Sequence, residues 1–152
     1  MVKEIYEKIK EKFNLPDYEE VNKELEISSI ETEEFLLREI RKKIVDRVDV
    51  VISEISTILQ PSAESLTSMQ ECRFFDDKDK KKMIEIYKKL MMISRQALEA
   101  EISHEDQDDA NLITEFFKEW KLMREDLLSF MKTVKTCWEK ETEIEEKMEY
   151  FG

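Results

Sequence analysis

The stretch ITEFFKEWKLMREDLLSFMKTVKTCWEKETEIEEKMEYF, residues 113–151, decides the fold of this chain. Its apolar residues recur at alternating spacings of three and four, and only Glu141 interrupts the row. The row consists of Ile113, Phe116, Trp120, Met123, Leu127, Phe130, Val134, Cys137, Glu141, Ile144, Met148 and Phe151. With no proline or glycine inside it, the stretch predicts one helix roughly 58 Å long. Because helix propensity alone is weak support, such a helix needs partners packed along its apolar row.

Two further apolar patterns predict those partners. One runs from Leu37 to Ile58 at helical spacing, and the other from Met83 to Ile102. We therefore predict an all-α fold, an antiparallel bundle of three long helices at residues 30–60, 78–103 and 110–150. Residues 62–75 allow a further short helix that brings Phe74 and Phe75 to the core.

The first 28 residues predict a helical hairpin that packs on this bundle. Val2, Ile5, Ile9 and Phe13 form a helical stripe, and the segment 14–17, which contains a proline, ends it. Asp17 and Glu20 have the spacing of a capping box, which predicts the start of a second short helix. We predict that residues 1–152 form a single helical domain.

Composition excludes several classes of function. The only glycine is Gly152, so the chain has no glycine-rich loop of the kind that holds phosphates. A net charge of −12 disfavours binding to nucleic acid or to an anionic membrane. No apolar run is long enough to span a bilayer, and the N-terminus lacks a signal-peptide core. We expect a cytoplasmic protein in which Cys72 and Cys137 are reduced core thiols.

Catalytic and metal-binding patterns are weak. His104 is the only histidine and lies among acidic residues, but one histidine with loop carboxylates fits no zinc spacing. We interpret the segment around it as a solvated connection that caps the following helix. Since no other grouping suggests a nucleophile and its base, we expect no enzyme activity and no cofactor.

An enzyme alternative remains open. All-α nucleotide pyrophosphatases hold magnesium with acids from two facing helices, and Glu20, Glu24, Asp46 and Asp49 allow a similar placement. The acid patterns typical of those enzymes are broken here by lysines. A metal-dependent nucleotide hydrolase is therefore the first alternative function.

A second alternative comes from basic clusters at 38–43 and 78–82, which would suit a nucleic-acid-associated factor. Both clusters adjoin acids and lack interleaved aromatic residues, so solvated helix faces explain them more simply. We do not expect nucleic acid to be the partner.

The end of the long helix predicts a contact surface. Its apolar row continues past the point where the two predicted partner helices end, near Trp138. The candidate interface residues are Trp138, Glu141, Ile144, Met148, Tyr150 and Phe151. We predict a non-enzymatic protein–protein interaction or assembly module of the cytosol, bound to a protein partner or to a second copy. Alternatively, the N-terminal hairpin covers this row within one chain.

Overall fold

The computed structural model describes residues 1–32 and 34–140. Within them the chain forms six α-helices, one 3₁₀ turn at Ile27–Ser29 and no β-strand. The helices are α1 (Val2–Phe13), α2 (Tyr18–Leu25), α3 (Leu36–Leu59), α4 (Leu66–Arg73), α5 (Asp77–Ser103) and α6 (Asp106–Lys140). The predicted all-α fold is confirmed. Each described helix is too polar or too short to cross a bilayer.

The three long helices α3, α5 and α6 pack on one another as a bundle. Only His104 and Glu105 separate α5 from α6, so these two helices run antiparallel. Arg41, near the start of α3, pairs with Asp109, near the start of α6, and these two helices therefore run parallel. The bundle thus has up–down–up topology, with α5 antiparallel to both of its neighbours.

The apolar row of α6 faces the core as its spacing predicts. Its described members are buried except for Leu127 and Cys137, which are partly buried. Trp120 is buried as expected, although its indole nitrogen has no hydrogen-bond partner among the described residues. The rest of the row, from Glu141 onward, lies outside the described residues.

The broad apolar pattern of α5 is only partly core. Met83, Leu90 and Ile93 are buried between α3 and α6. Three other apolar residues of the same pattern, which were also candidates for the core, are exposed: Ile84, Leu98 and Ile102. They lie away from the face that two neighbouring helices already fill, so α5 presents a second apolar face outward.

The N-terminal hairpin packs on α3 and on the middle of α6. Tyr6, fully buried, donates a 2.6 Å hydrogen bond to the carbonyl oxygen of Pro16 and so ties α1 to the hairpin loop. The predicted capping box does not form. The Asp17 carboxylate binds Lys10 instead, and Glu20 lies 2.6 Å from the ammonium of Lys121 on α6.

Two segments differ from their predicted bounds. The helix expected from residue 30 begins at Leu36, because Ile27 is buried in the 3₁₀ turn and Phe35 has left-handed backbone geometry, with φ 56°. The uncertain segment 62–75 contains α4, whose first turn is capped by Ser65. Past α4, Phe75 is buried edge-on against Phe130 of α6, as the sequence suggested.

Candidate protein-interaction surface

Trp138 is the one predicted interface residue that falls within the described residues. Its ring is partly buried and packs edge-on against Phe74, with 5.4 Å between ring centroids. Its side chain also hydrogen-bonds the carboxylate of Glu71 on α4. Trp138 therefore has partners within its own chain. Glu141, Ile144, Met148, Tyr150 and Phe151 lie outside the described residues, so their role stays a prediction.

Glu71 lies in this same contact and titrates abnormally. Burial raises the pKa of its carboxyl group, and the negative charge of Glu54 raises it further. The hydrogen bond with Trp138 acts in the opposite direction, because it stabilises the ionised form. The segment from α4 to Phe75 thus contacts α6 through two aromatic pairs, Phe74–Trp138 and Phe75–Phe130, and through the partly desolvated acid Glu71.

Two of the four acids of the hydrolase alternative, Glu20 and Glu24, bind cations of their own chain. Glu24 accepts hydrogen bonds from Arg47, at 2.5 Å to its carboxylate and 2.9 Å to its main-chain oxygen. Glu20 faces Lys121, as described above, while Asp46 and Asp49 are exposed on α3. No group of three potential metal ligands occurs in the part of the chain that the structure describes. The geometry therefore does not bring the four acids together.

His104 terminates α5. Its backbone is left-handed, with φ 58°, and its amide donates to the carbonyl oxygen of Ala100 at 3.2 Å. The side chain is exposed. The structure therefore gives His104 the role of a helix C-cap in a solvated connection.

The basic cluster on α3 is engaged within the chain. Arg38 lies over the ring of Phe35, Lys42 pairs with Glu39, and Lys43 donates to Ser29; these contacts measure 4.5, 3.2 and 3.3 Å. In the second cluster, Lys80 contacts Cys72 and Lys82 pairs with Asp126. Five cations of the two clusters therefore each have a contact within the chain.

The buried member of the first cluster is Arg41, and sequence reasoning gave it no special role. Its guanidinium lies 2.6 Å from the carboxylate of Asp109, and the two side chains are only 7% and 5% exposed. Burial raises the pKa of Asp109, while the Arg41 hydrogen bond and charge act to lower it. The pair fixes the start of α3 against the start of α6.

A groove lies between α5 and α6, with a volume of about 1250 Å³. We call it the α5–α6 groove. Its walls are Phe13, Asn14, Lys89, Met91, Met92, Ile93, Arg95, Gln96, Glu99, Asn111, Thr114, Glu115 and Glu119. A smaller cavity of about 570 Å³ continues it along α5 to Ile102 and Ser103, sharing Gln96, Glu99 and Asn111.

The groove combines two exposed apolar side chains of α5, Met92 and Ile102, with charged and polar side chains that lie between them. Met92 is 73% exposed and Ile102 is 70% exposed, so both side chains present apolar surface to solvent. Lys89 and Glu119 pair across the helices at 3.3 Å. Glu99 makes no ion pair within residues 1–32 and 34–140, and the same holds for Glu115 and Arg95.

Sequence reasoning missed this groove, although a signal was present. Met91, Met92 and Ile93 are consecutive, and three consecutive helical residues point in directions about 100° apart. They cannot all face the same core, and only Ile93 is buried. An apolar residue of α5 that cannot face the core, such as Met92, therefore indicated a second apolar surface on this helix.

Comparisons of this chain with protein families, with curated proteins and with solved structures return no match.

Proposed function

We propose that this protein is a non-enzymatic, cytoplasmic helical module that binds another protein through the α5–α6 groove. The observation that supports the proposal best is the exposure of apolar side chains in that groove, above all of Met92, which is 73% exposed. Exposed apolar surface that gathers in a concave site, rather than being scattered, is typical of an interaction surface.

The form of the groove suits a macromolecule better than a small ligand. Small-molecule sites enclose most of their ligand and aim a few polar groups inward. Here the charged groups Arg95 and Glu99 are exposed, and along α5 they lie between the apolar side chains of Met92 and Ile102. Protein interfaces combine apolar contacts with a polar, solvent-accessible rim.

The proposal is tested by affinity capture from the native cell extract with three forms of the protein. Met92→Gln replaces the exposed methionine with a polar side chain of similar length. Leu122→Gln is the matched control, because Leu122 is 65% exposed on α6 and does not line the groove. A partner retained by wild type and by Leu122→Gln but lost by Met92→Gln supports the proposal. Equal retention by all three forms would contradict it.

Self-association is the competing use of the same surface. A symmetric dimer through the groove would bury Met92 against a second copy of the chain. Sedimentation of the wild type and of Met92→Gln distinguishes the two cases. We expect the substitution to leave the oligomeric state unchanged; a dimer that the substitution dissociates would replace the partner protein with a second copy.

A further inference from the structure

Resting on the proposed function, we infer that the occupant of the α5–α6 groove is a basic amphipathic helix of about four turns. Its apolar stripe lies on the methionines and its lysines or arginines face the acidic rim. Three features of the described residues lead to this class of partner: the length of the groove, its charge and the methionine side chains that line it.

The length of the groove matches a short helix. Its α5 wall runs from Lys89 through the continuing cavity to Ser103. At 1.5 Å per helical residue this wall is roughly 21 Å long, which corresponds to a helix of about 14 residues. Because the walls are themselves two antiparallel helices, a third helix can lie between their ridges as in ordinary helix packing.

The charge of the groove favours a basic partner. Its acids, Glu99, Asp108, Glu115 and Glu119, outnumber its bases, Lys89 and Arg95. Glu119 is engaged by Lys89 and Asp108 by the hydroxyl of Ser103. Glu99, Glu115 and Arg95 make no ion pair in the described part of the chain, so two acids face one base among the unpaired groups. The chain as a whole carries a net charge of −12, so the longer-range field also attracts cations. A basic helix satisfies the free carboxylates, whereas an acidic one is repelled.

The methionines that line the groove favour an aliphatic stripe. Met91 and Met92 have flexible, polarisable side chains that adapt to the shape of a bound helix. Phe13, at the end of α1, adds an aromatic surface to the wall. Apolar residues at spacings of three and four on the partner would contact both groups at once.

The inference is tested with two synthetic peptides of about 14 residues that share one leucine stripe at helical spacing. One carries lysines beside the stripe and the other carries glutamates. Fluorescence anisotropy with the full chain should show saturable binding at one site for the lysine peptide and none for the glutamate peptide. Met92→Gln should weaken binding about tenfold, because a buried methionine contact is lost. Leu122→Gln should leave the affinity unchanged.

The acidic rim is tested separately. The double variant Glu99→Gln/Glu115→Gln should lower the affinity for the lysine peptide about three- to tenfold and reduce the salt dependence of binding. The control is the double variant Glu31→Gln/Glu64→Gln, which removes an equal charge from two exposed loop positions outside the groove. If this control weakens binding as much as the groove variant does, the attraction comes from net charge and the inference falls.

Failure of the inference is distinguishable from failure of the proposed function. Equal binding of both peptides, or of neither, overturns the basic helix as occupant. If capture from the extract still depends on Met92, the proposed function stands with a different class of partner. If capture does not depend on Met92, the proposed function itself is wrong.

Discussion

Replacing Arg41 with methionine removes one partner of the buried ion pair and leaves the carboxylate of Asp109 without its cation. The two side chains are 7% and 5% exposed, and their atoms lie 2.6 Å apart, so little solvent screens the pair. Breaking such a pair from one side costs about 3–5 kcal/mol, since a desolvated charge is left uncompensated. For a domain whose total stability is about 5–15 kcal/mol, that loss is large.

The assay is urea denaturation followed by circular dichroism at pH 7. Lys42→Met is the matched control: it removes a neighbouring cation on α3 whose pair with Glu39 is exposed to solvent, and it should cost under about 1 kcal/mol. The double variant Arg41→Met/Asp109→Leu removes both charges and should recover most of the lost stability. A loss below about 1 kcal/mol in Arg41→Met would show that the pair is not buried as described.

The stability that Arg41→Met loses relative to wild type should depend on pH, with a sign that follows from the pKa of Asp109. Burial already raises the pKa of Asp109, and Arg41 is the main group that opposes this rise. Without Arg41 the folded pKa rises further, so the folded state holds the proton more tightly than the unfolded state. The contribution of Asp109 to stability is then complete below its ordinary pKa of 3.8 and is lost as the pH rises through the raised value. The deficit relative to wild type should therefore shrink on acidification from pH 7; a constant deficit would refute the reasoning.

Three further predictions concern the core, the α5–α6 connection and the end of α6. Leu90→Ala should cost about 2–5 kcal/mol, because Leu90 is fully buried, and Leu127→Ala should cost less, because Leu127 is partly buried; equal urea midpoints would contradict this order. His104→Ala should leave stability nearly unchanged, whereas His104→Gly should raise the melting temperature, since glycine adopts the left-handed geometry freely. We expect the intact chain to sediment as a larger assembly than a chain ending at Lys140, because residues 141–152 are predicted to form an intermolecular contact; monomers in both cases, with the shorter chain less stable, would instead place that row within one chain.

The sequence predicted the elements that depend on long apolar periods. The row from Ile113 to Val134 lies on the core side of α6, because spacings of three and four return each residue to one face. The fold class and the approximate positions of the long helices follow from three such rows. Local pattern and tertiary packing agree in these segments.

The sequence could not predict features that depend on tertiary partners. Asp17 and Glu20 have capping-box spacing, but Lys10 and Lys121 lie close enough in the folded chain to bind them instead. Likewise, nothing in the local pattern distinguishes Arg41 from the solvated cations beside it. Its burial depends on Asp109, which lies 68 residues away in sequence. Such ion pairs can be recognised only when the relative positions of the helices are known.

The same limit applies to the candidate site. The sequence assigned the contact surface to the end of the long helix, whose described member Trp138 packs on Phe74. The groove became recognisable only once the structure showed that α3 and α6 fill one face of α5. Met92 is then seen to be an exposed apolar residue that does not contribute to the core of its own chain.

Photo-crosslinking tests the central claim most directly. A photoreactive amino acid is placed at position 92, in the α5–α6 groove, or at position 122, an equally solvated site on α6, and the protein is irradiated in its native cells. We predict a discrete crosslinked adduct from position 92 that contains a second, different protein and is absent from position 122. Identical adducts from both positions, or an adduct from position 122 alone, would contradict the assignment of the groove as the binding surface.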